Sequence, residues 1–273
     1  MGTIKRDTKK LFLKKGTCSH TFFHILNREF GHIKDNEERA TDPLAGGILQ
    51  MGYQCGMLWG ASMGVGAESF RRCNNTNQAI GLAIKATQHI MKSFVKRGGS
   101  ADCGDITETD FSSKLSFAKY FFSGRFLSCF SLADKWAPEA IQAAHEGLSN
   151  GQRDLPNQCK SCASEVVKKM GGSNEEAVMV AGLAGGIGLS GNACGALSAA
   201  IWMKMLDMCR KQTMKSSLKN PEAEIILEKF YAATDYEIIC NEITGKRFNT
   251  LDDHTEFIKN GSCSKLINVL AES

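Results

Sequence analysis

A self-match constrains the architecture before any secondary structure is assigned. Residues 44–61 (LAGGILQMGYQCGMLWGA) and 183–200 (LAGGIGLSGNACGALSAA) align without a gap at a separation of 139 positions, with ten of eighteen residues identical. A chain that repeats itself over such a distance is built from two copies of one unit. Each copy carries a glycine-flanked cysteine, Cys55 or Cys194, inside the matched stretch.

The correspondence extends in both directions. Cys103, Ile106, Thr107 and Phe111 recur as Cys240, Ile243, Thr244 and Phe248, 137 positions on. Ser128-Cys129 with Leu132 recurs as Ser262-Cys263 with Leu266, and Cys18 finds its counterpart in Cys162. Four cysteines therefore recur in the same order, Cys18, Cys55, Cys103 and Cys129 in one copy and Cys162, Cys194, Cys240 and Cys263 in the other. The expected units are residues 1–150 and 151–273, with the Ser-, Asn-, Gly- and Gln-rich run at 148–160 as the connection.

Within each unit the pattern is helical. Prolines number only four, while Ala, Leu, Lys, Glu and Met are abundant. Residues 1–15 read as a basic amphipathic helix, and Thr17 caps a second whose buried side is Phe22, Phe23, Ile25, Leu26 and Phe30. The stretch around Asp35 to Glu38 reads as a polar loop. A helix over about 78–96 ends at Gly98-Gly99, and Asn220-Pro221-Glu222 is a helix start. The fold class expected is all-α, a helical bundle made of two tandem, internally homologous repeats.

Charge and motifs narrow the function. A net charge of +4 on 273 residues is too small a field for a dedicated nucleic-acid binder. Residues 43–67 and 177–203 are uncharged and long, yet glycine, Gln50, Gln54, Ser190 and Asn192 interrupt them, so no stable membrane span is expected. The N-terminal apolar residues are broken by lysines and form no signal-peptide core, which makes a cytoplasmic location the expectation. The Gly-Gly-Ile stretches lack the strand context and the Gly-Lys-Ser/Thr of a phosphate-binding loop. His20 and His24 stand four apart on one helix face, but the second copy has no such pair, and packing is the expected role.

Eleven cysteines without a secretory leader point to metal, cluster or redox chemistry rather than structural disulfides. Any one buried cysteine is an ordinary small apolar residue. Four that recur at matched positions while most neighbours have diverged are not explained by packing. Cys73, Cys159 and Cys209 have no counterpart, and Cys159 with Cys162 forms the single CxxC. Gly52, Gly56, Gly60 and Gly64, and Gly191, Gly195 and Ala199, recur every four residues and predict a helix stripe open to close backbone approach. Cys55 and Cys194 stand near the expected starts of those helices, where amides and dipole would lower a thiol pKa, so they are the candidate redox thiols.

The arrangement resembles the redox-active family named for its C…GCAxxG…C…C cysteine pattern. The central element stands here as Cys55-Gly56-Met57-Leu58-Trp59-Gly60 and as Cys194-Gly195-Ala196-Leu197-Ser198-Ala199, each departing at one position, Met57 for Ala and Ala199 for Gly. The resemblance covers nearly the whole chain, twice over, and implies a redox or iron–sulfur role. It is partial toward split-Soret cytochrome, whose haem-attachment sequence is absent. The leading expectation is electron transfer through an iron–sulfur cluster bound by each four-cysteine set, the eight cysteines above being the cofactor and metal ligands. The alternatives are a thiol–disulfide oxidoreductase working through Cys55 or Cys194, a structural zinc site, or no cofactor. A redox partner protein is the partner expected, and a homodimer is compatible with the pattern.

Overall fold

The computed structural model describes residues 7–273 apart from 112, 114, 117–119, 121, 123, 125, 152–154 and 215–217. Among the described residues there is no β-strand, only two isolated bridges, Gln54 with Asp102 and Ala193 with Ile239. The first half runs α1 (Thr8–Lys15), α2 (Cys18–Glu29), α3 (Asp35–Arg39), α4 (Gly56–Arg72), α5 (Thr76–Gly98), α6 (Cys103–Thr107) and α7 (Phe126–Gly151). The second runs α8 (Cys162–Lys169), α9 (Asn174–Met179), α10 (Gly195–Arg210), α11 (Pro221–Thr234), α12 (Cys240–Thr244), α13 (Leu251–Lys259) and α14 (Ser264–Ala271). Short 3-10 turns, Asp42–Leu44 and Ala181–Leu183, stand at matched places in the two halves.

Local chemistry sets several of these boundaries as the sequence predicts. The Thr17 hydroxyl accepts from the His20 amide, and Gly99 adopts a left-handed φ of 79° as its amide closes α5 onto Val95. Asn220 caps α11 by accepting from the Glu222 amide at 3.0 Å. Other boundaries differ. The expected loop at 35–38 is helical, with Glu38 fully buried, and α7 extends through Leu148 to Gly151 into the expected connection. Residues 1–6 of the expected basic helix lie outside the described residues.

The glycine-rich stretches divide into two structures at their cysteines. Before Cys55, residues 46–50 all take positive φ, from 51° at Leu49 to 77° at Gly47, and before Cys194 so do residues 185–189. A left-handed turn of this kind disfavours any residue with a Cβ by about 1–2 kcal/mol, which is why glycine recurs there. Gly47 has a second reason, since a Cβ on it would lie 2.3 Å from the Tyr53 amide nitrogen. Gly52 and Gly191, predicted to belong to the helix stripe, instead close these turns at φ 83° and 81°. The stripe proper begins after the cysteine.

On α4 that stripe is packed hard against α2. A Cβ on Gly56 would lie 2.4 Å from the Cys18 sulfur, on Gly60 2.0 Å from the Ser19 carbonyl oxygen, and on Gly64 2.7 Å from the Leu26 Cβ. The far side of α4 meets the second half, where a Cβ on Gly66 would lie 2.3 Å from the Met179 carbonyl oxygen. Gly182 approaches Thr87 of α5 as closely. Ala193 donates its amide to the Gln54 side chain at 2.9 Å, and Trp202 donates its indole N–H to the Glu37 carbonyl at 3.0 Å. The buried apolar residues of both halves form one continuous core, with Trp59, Trp136 and Trp202 fully enclosed. No helix among the described residues is long and apolar enough to cross a membrane.

Candidate functional site

All eight recurring cysteines stand at the beginning of a helix. Cys18 and Cys162 are the first residues of α2 and α8, Cys103 and Cys240 the first of α6 and α12. Cys55, Cys194 and Cys263 are the residues that precede α4, α10 and α14, and Cys129 lies in the first turn of α7. A helix start has backbone N–H groups without intrahelical partners, so a sulfur placed there has donors within reach.

A short backbone bridge joins the second and third cysteine of each set. The Cys55 amide donates to the Ala101 carbonyl at 2.8 Å and the Cys103 amide to the Tyr53 carbonyl at 2.7 Å. In the second copy the Cys194 amide donates to Ile238 at 2.9 Å and the Cys240 amide to Asn192 at 2.7 Å. The recurring threonine serves the same region, because Thr107 and Thr244 each donate a hydroxyl hydrogen bond of 2.7 Å to the carbonyl of the cysteine four residues before. The left-handed turn supplies the first cysteine, with a backbone hydrogen bond from Gly46 to Cys18 and from Gly185 to Cys162. Neither the bridge nor these amide contacts could be read from spacing, although the repeated Gly-Gly and Thr marked their places.

The cysteines of each set lie near one another. In the second, Cys162, Cys194, Cys240 and Cys263 line a single cavity of about 20 Å³, walled by Phe248, Phe257, Ile258, Leu266 and Ile267. Cys263 is the one of the four that is not buried, and it also lines an outer groove with Glu242 and Lys265. In the first set, the negative charges that Cys18 and Cys129 would carry push up the Cys103 thiol, after the larger effect of burial. Tyr120 Oη stands 3.4 Å from the Cys129 sulfur.

The helix-start position does not lower the pKa of Cys55 or Cys194, contrary to the sequence expectation. A hydrogen bond with Cys18 and then burial raise Cys55 well above the thiol range, and burial pushes Cys194 up to about 12. The desolvation of a buried thiolate outweighs the amides at the helix start. Cys18 is the exception, held below the ordinary value chiefly by its hydrogen bond with Cys55. Burial also raises Cys129 and Cys162, and it pushes Cys263 up to about 12. Cys240 rises for the same reason, with the other three cysteines of its set adding to it.

Other sequence candidates stay apart from these clusters. His24 Nδ1 is 2.8 Å from Glu38 Oε2 and His20 Nδ1 is 3.3 Å from Asp42 Oδ1, so each imidazole faces its own carboxylate. Cys159 is buried, accepts a long contact from the Thr255 hydroxyl at 3.7 Å and does not line the second cavity. His254 is the residue that the sequence reading missed, for it lines that cavity with the four cysteines and is 1% exposed. Burial lowers its pKa to about 4, which keeps the ring neutral near pH 7.

Four thiols around an apolar pocket are a soft donor set suited to iron–sulfur clusters or zinc, so donor type and number fit either group. Among the described residues no three His, Cys, Asp or Glu groups stand round one point closely enough to hold a single metal ion. A cluster distributes its protein ligands over several irons and requires no such common point.

The family model described as "Putative redox-active protein (C_GCAxxG_C_C)" matches residues 17–171 and again 157–273. No curated protein and no solved structure matches the chain. Two matches that together span nearly the whole sequence, each enclosing one four-cysteine set, show that the chain belongs to the C…GCAxxG…C…C redox-active family and carries its unit in tandem.

Proposed function

We propose that this is an electron-carrying protein in which each four-cysteine set holds an iron–sulfur cluster. The observation that carries the reading is the second cavity, where four thiols from four separate helix starts meet among apolar side chains. When bound, such a cluster supplies a centre that takes up and releases single electrons. The chain's own residues then have definite tasks. Cys18, Cys55, Cys103 and Cys129 would hold the first cluster, and Cys162, Cys194, Cys240 and Cys263 the second. Backbone groups of Gly46 and Gly185 would offset negative charge on Cys18 and Cys162. Phe248, Phe257 and Ile267 would keep water from the second site. An electron carrier needs a redox partner protein, and the groove outside Cys263 lies over the second site.

Protein purified without oxygen is expected to contain iron and acid-labile sulfide and to absorb visible light. Cys55→Ala and Cys194→Ala should each remove roughly half of the iron, because each destroys one complete ligand set. Colourless, iron-free protein after reconstitution with iron and sulfide would overturn the reading, and zinc bound in stoichiometric amount would replace it with a structural zinc site.

The Cys18–Cys55 hydrogen bond favours a second reading, thiol–disulfide exchange at the first set. There the Cys18 thiolate would attack a substrate disulfide and expel one thiolate. Cys55, losing its proton, would then displace the second, leaving a Cys18–Cys55 disulfide, with a dithiol reductant restoring both thiols. In metal-free protein Cys18, half-buried and with its pKa lowered, is expected to alkylate before Cys55 and Cys194 near pH 7. Peptide mass spectrometry after brief iodoacetamide treatment reads the order, and Cys194 labelling first would contradict this assignment.

A further inference from the structure

The position nine residues before the fourth cysteine is filled differently in the two copies, by Tyr120 before Cys129 and by His254 before Cys263. In the first copy the tyrosine hydroxyl stands beside the sulfur. In the second, the imidazole is enclosed with all four cysteines. Its Nδ1 lies 3.2 Å from the Lys160 carbonyl oxygen. A carbonyl only accepts, so Nδ1 carries the proton and donates, which leaves Nε2 with the lone pair. Phe248 holds the ring edge-on at 5.0 Å between centroids. A histidine that lines a ring of thiols and has Nδ1 fixed by a backbone carbonyl has the outer-shell arrangement found behind metal-bound imidazoles.

We infer that His254 is a ligand of the second site, giving its Nε2 to the group that Cys162, Cys194, Cys240 and Cys263 surround. The inference rests on the iron–sulfur reading and deepens it, because it makes the two sites chemically unlike. A neutral imidazole brings no negative charge where a thiolate would, and imidazole ligation raises a cluster's reduction potential. The second site would then be the higher in potential of the two. Cys263, at the mouth of the cavity, is the cysteine whose bond His254 replaces or supplements.

The test uses the full chain with Cys55→Ala, so that only the second site loads. The protein is reconstituted with iron and sulfide, labelled with isotopically enriched histidine nitrogen, reduced, and measured by pulsed electron paramagnetic resonance. A strongly coupled histidine nitrogen is expected, and it should vanish in His254→Asn. Asparagine keeps an amide N–H for the Lys160 carbonyl while removing the Nε2 donor, and circular dichroism checks that the fold survives. The nitrogen signal in the chain with His254 intact decides the matter even if the variant fails to fold. Iron and sulfide bound without that coupling overturn the inference and leave the iron–sulfur reading standing. Failure to bind iron and sulfide overturns both.

Discussion

Gly60→Ala is expected to destabilise the protein by about 3 kcal/mol or more, at the upper end for overpacking, although alanine is the better helix former. The added methyl would lie 2.0 Å from the Ser19 carbonyl oxygen and 2.9 Å from the Phe23 amide nitrogen. Both obstacles are backbone of α2, so no side chain can rotate away and the two helices must separate. For a chain of this size that loss corresponds to a melting shift of roughly 6–12 °C. The first cysteine set should suffer with the fold, because α2 begins at Cys18 and α4 follows Cys55. On the iron–sulfur reading proposed above, iron at the first site should fall while the second, whose matched position is already Ala199, keeps its share. Gly98→Ala is the control, since its nearest neighbours would be side chains at 3.7–3.9 Å and a gain of up to roughly 1 kcal/mol is expected. Calorimetry on both variants decides it, and a Gly60→Ala melting point equal to the parent's would show that the contact is not as close as described.

Glu38→Gln is the second large effect, and its signature is pH dependence. Burial alone would raise the carboxyl pKa of Glu38, but hydrogen bonds from His24, the Lys34 amide and Asn27 override it and hold the value at about 2. The contacts are 2.8 Å to His24 Nδ1, 3.0 Å to the Lys34 amide and 2.9 Å to Asn27 Nδ2, with Lys15 Nζ at 3.4 Å. A group whose pKa is lower folded than unfolded stabilises the fold above its unfolded value, here 4.5, and that stability is lost as pH falls toward about 2. The fully buried carboxylate therefore contributes roughly 3 kcal/mol near neutrality. Glu38→Gln is expected to lose about that much at pH 7 and to approach the parent only as the pH drops toward about 2. Urea unfolding across this range measures the difference, and a difference independent of pH would assign the loss to shape rather than charge. The second half has Ala177 where the first has Glu38, so this carboxylate's contribution belongs to the first half alone.

The same comparison separates what was legible in the chain from what was not. Helix type, the caps at Thr17 and Asn220, and the glycine stop at Gly99 are local, set by a few consecutive residues, and the sequence carried them openly. Glu38 reads as a loop residue in the sequence because a lone carboxylate among charged neighbours looks exposed, and distant partners, His24 and Asn27 of α2 and Lys15 of α1, make its burial tolerable. Helix-start position predicts acidic Cys55 and Cys194, and the Cys18 hydrogen bond at the first and burial at the second reverse the sign.

By itself the sequence determined that one helical unit is used twice, that four cysteines recur in each copy, and that glycine must flank the second of them. Those facts follow from self-similarity and from backbone conformations that only certain residues favour. The tertiary structure decided which cysteines meet, through a two-bond bridge between segments nearly fifty residues apart, and that His254 lines the cavity of the second set. It also decided that the two halves share one core. Such contacts depend on distant segments arriving at one place, and a linear pattern of residue types records the partners without recording the meeting.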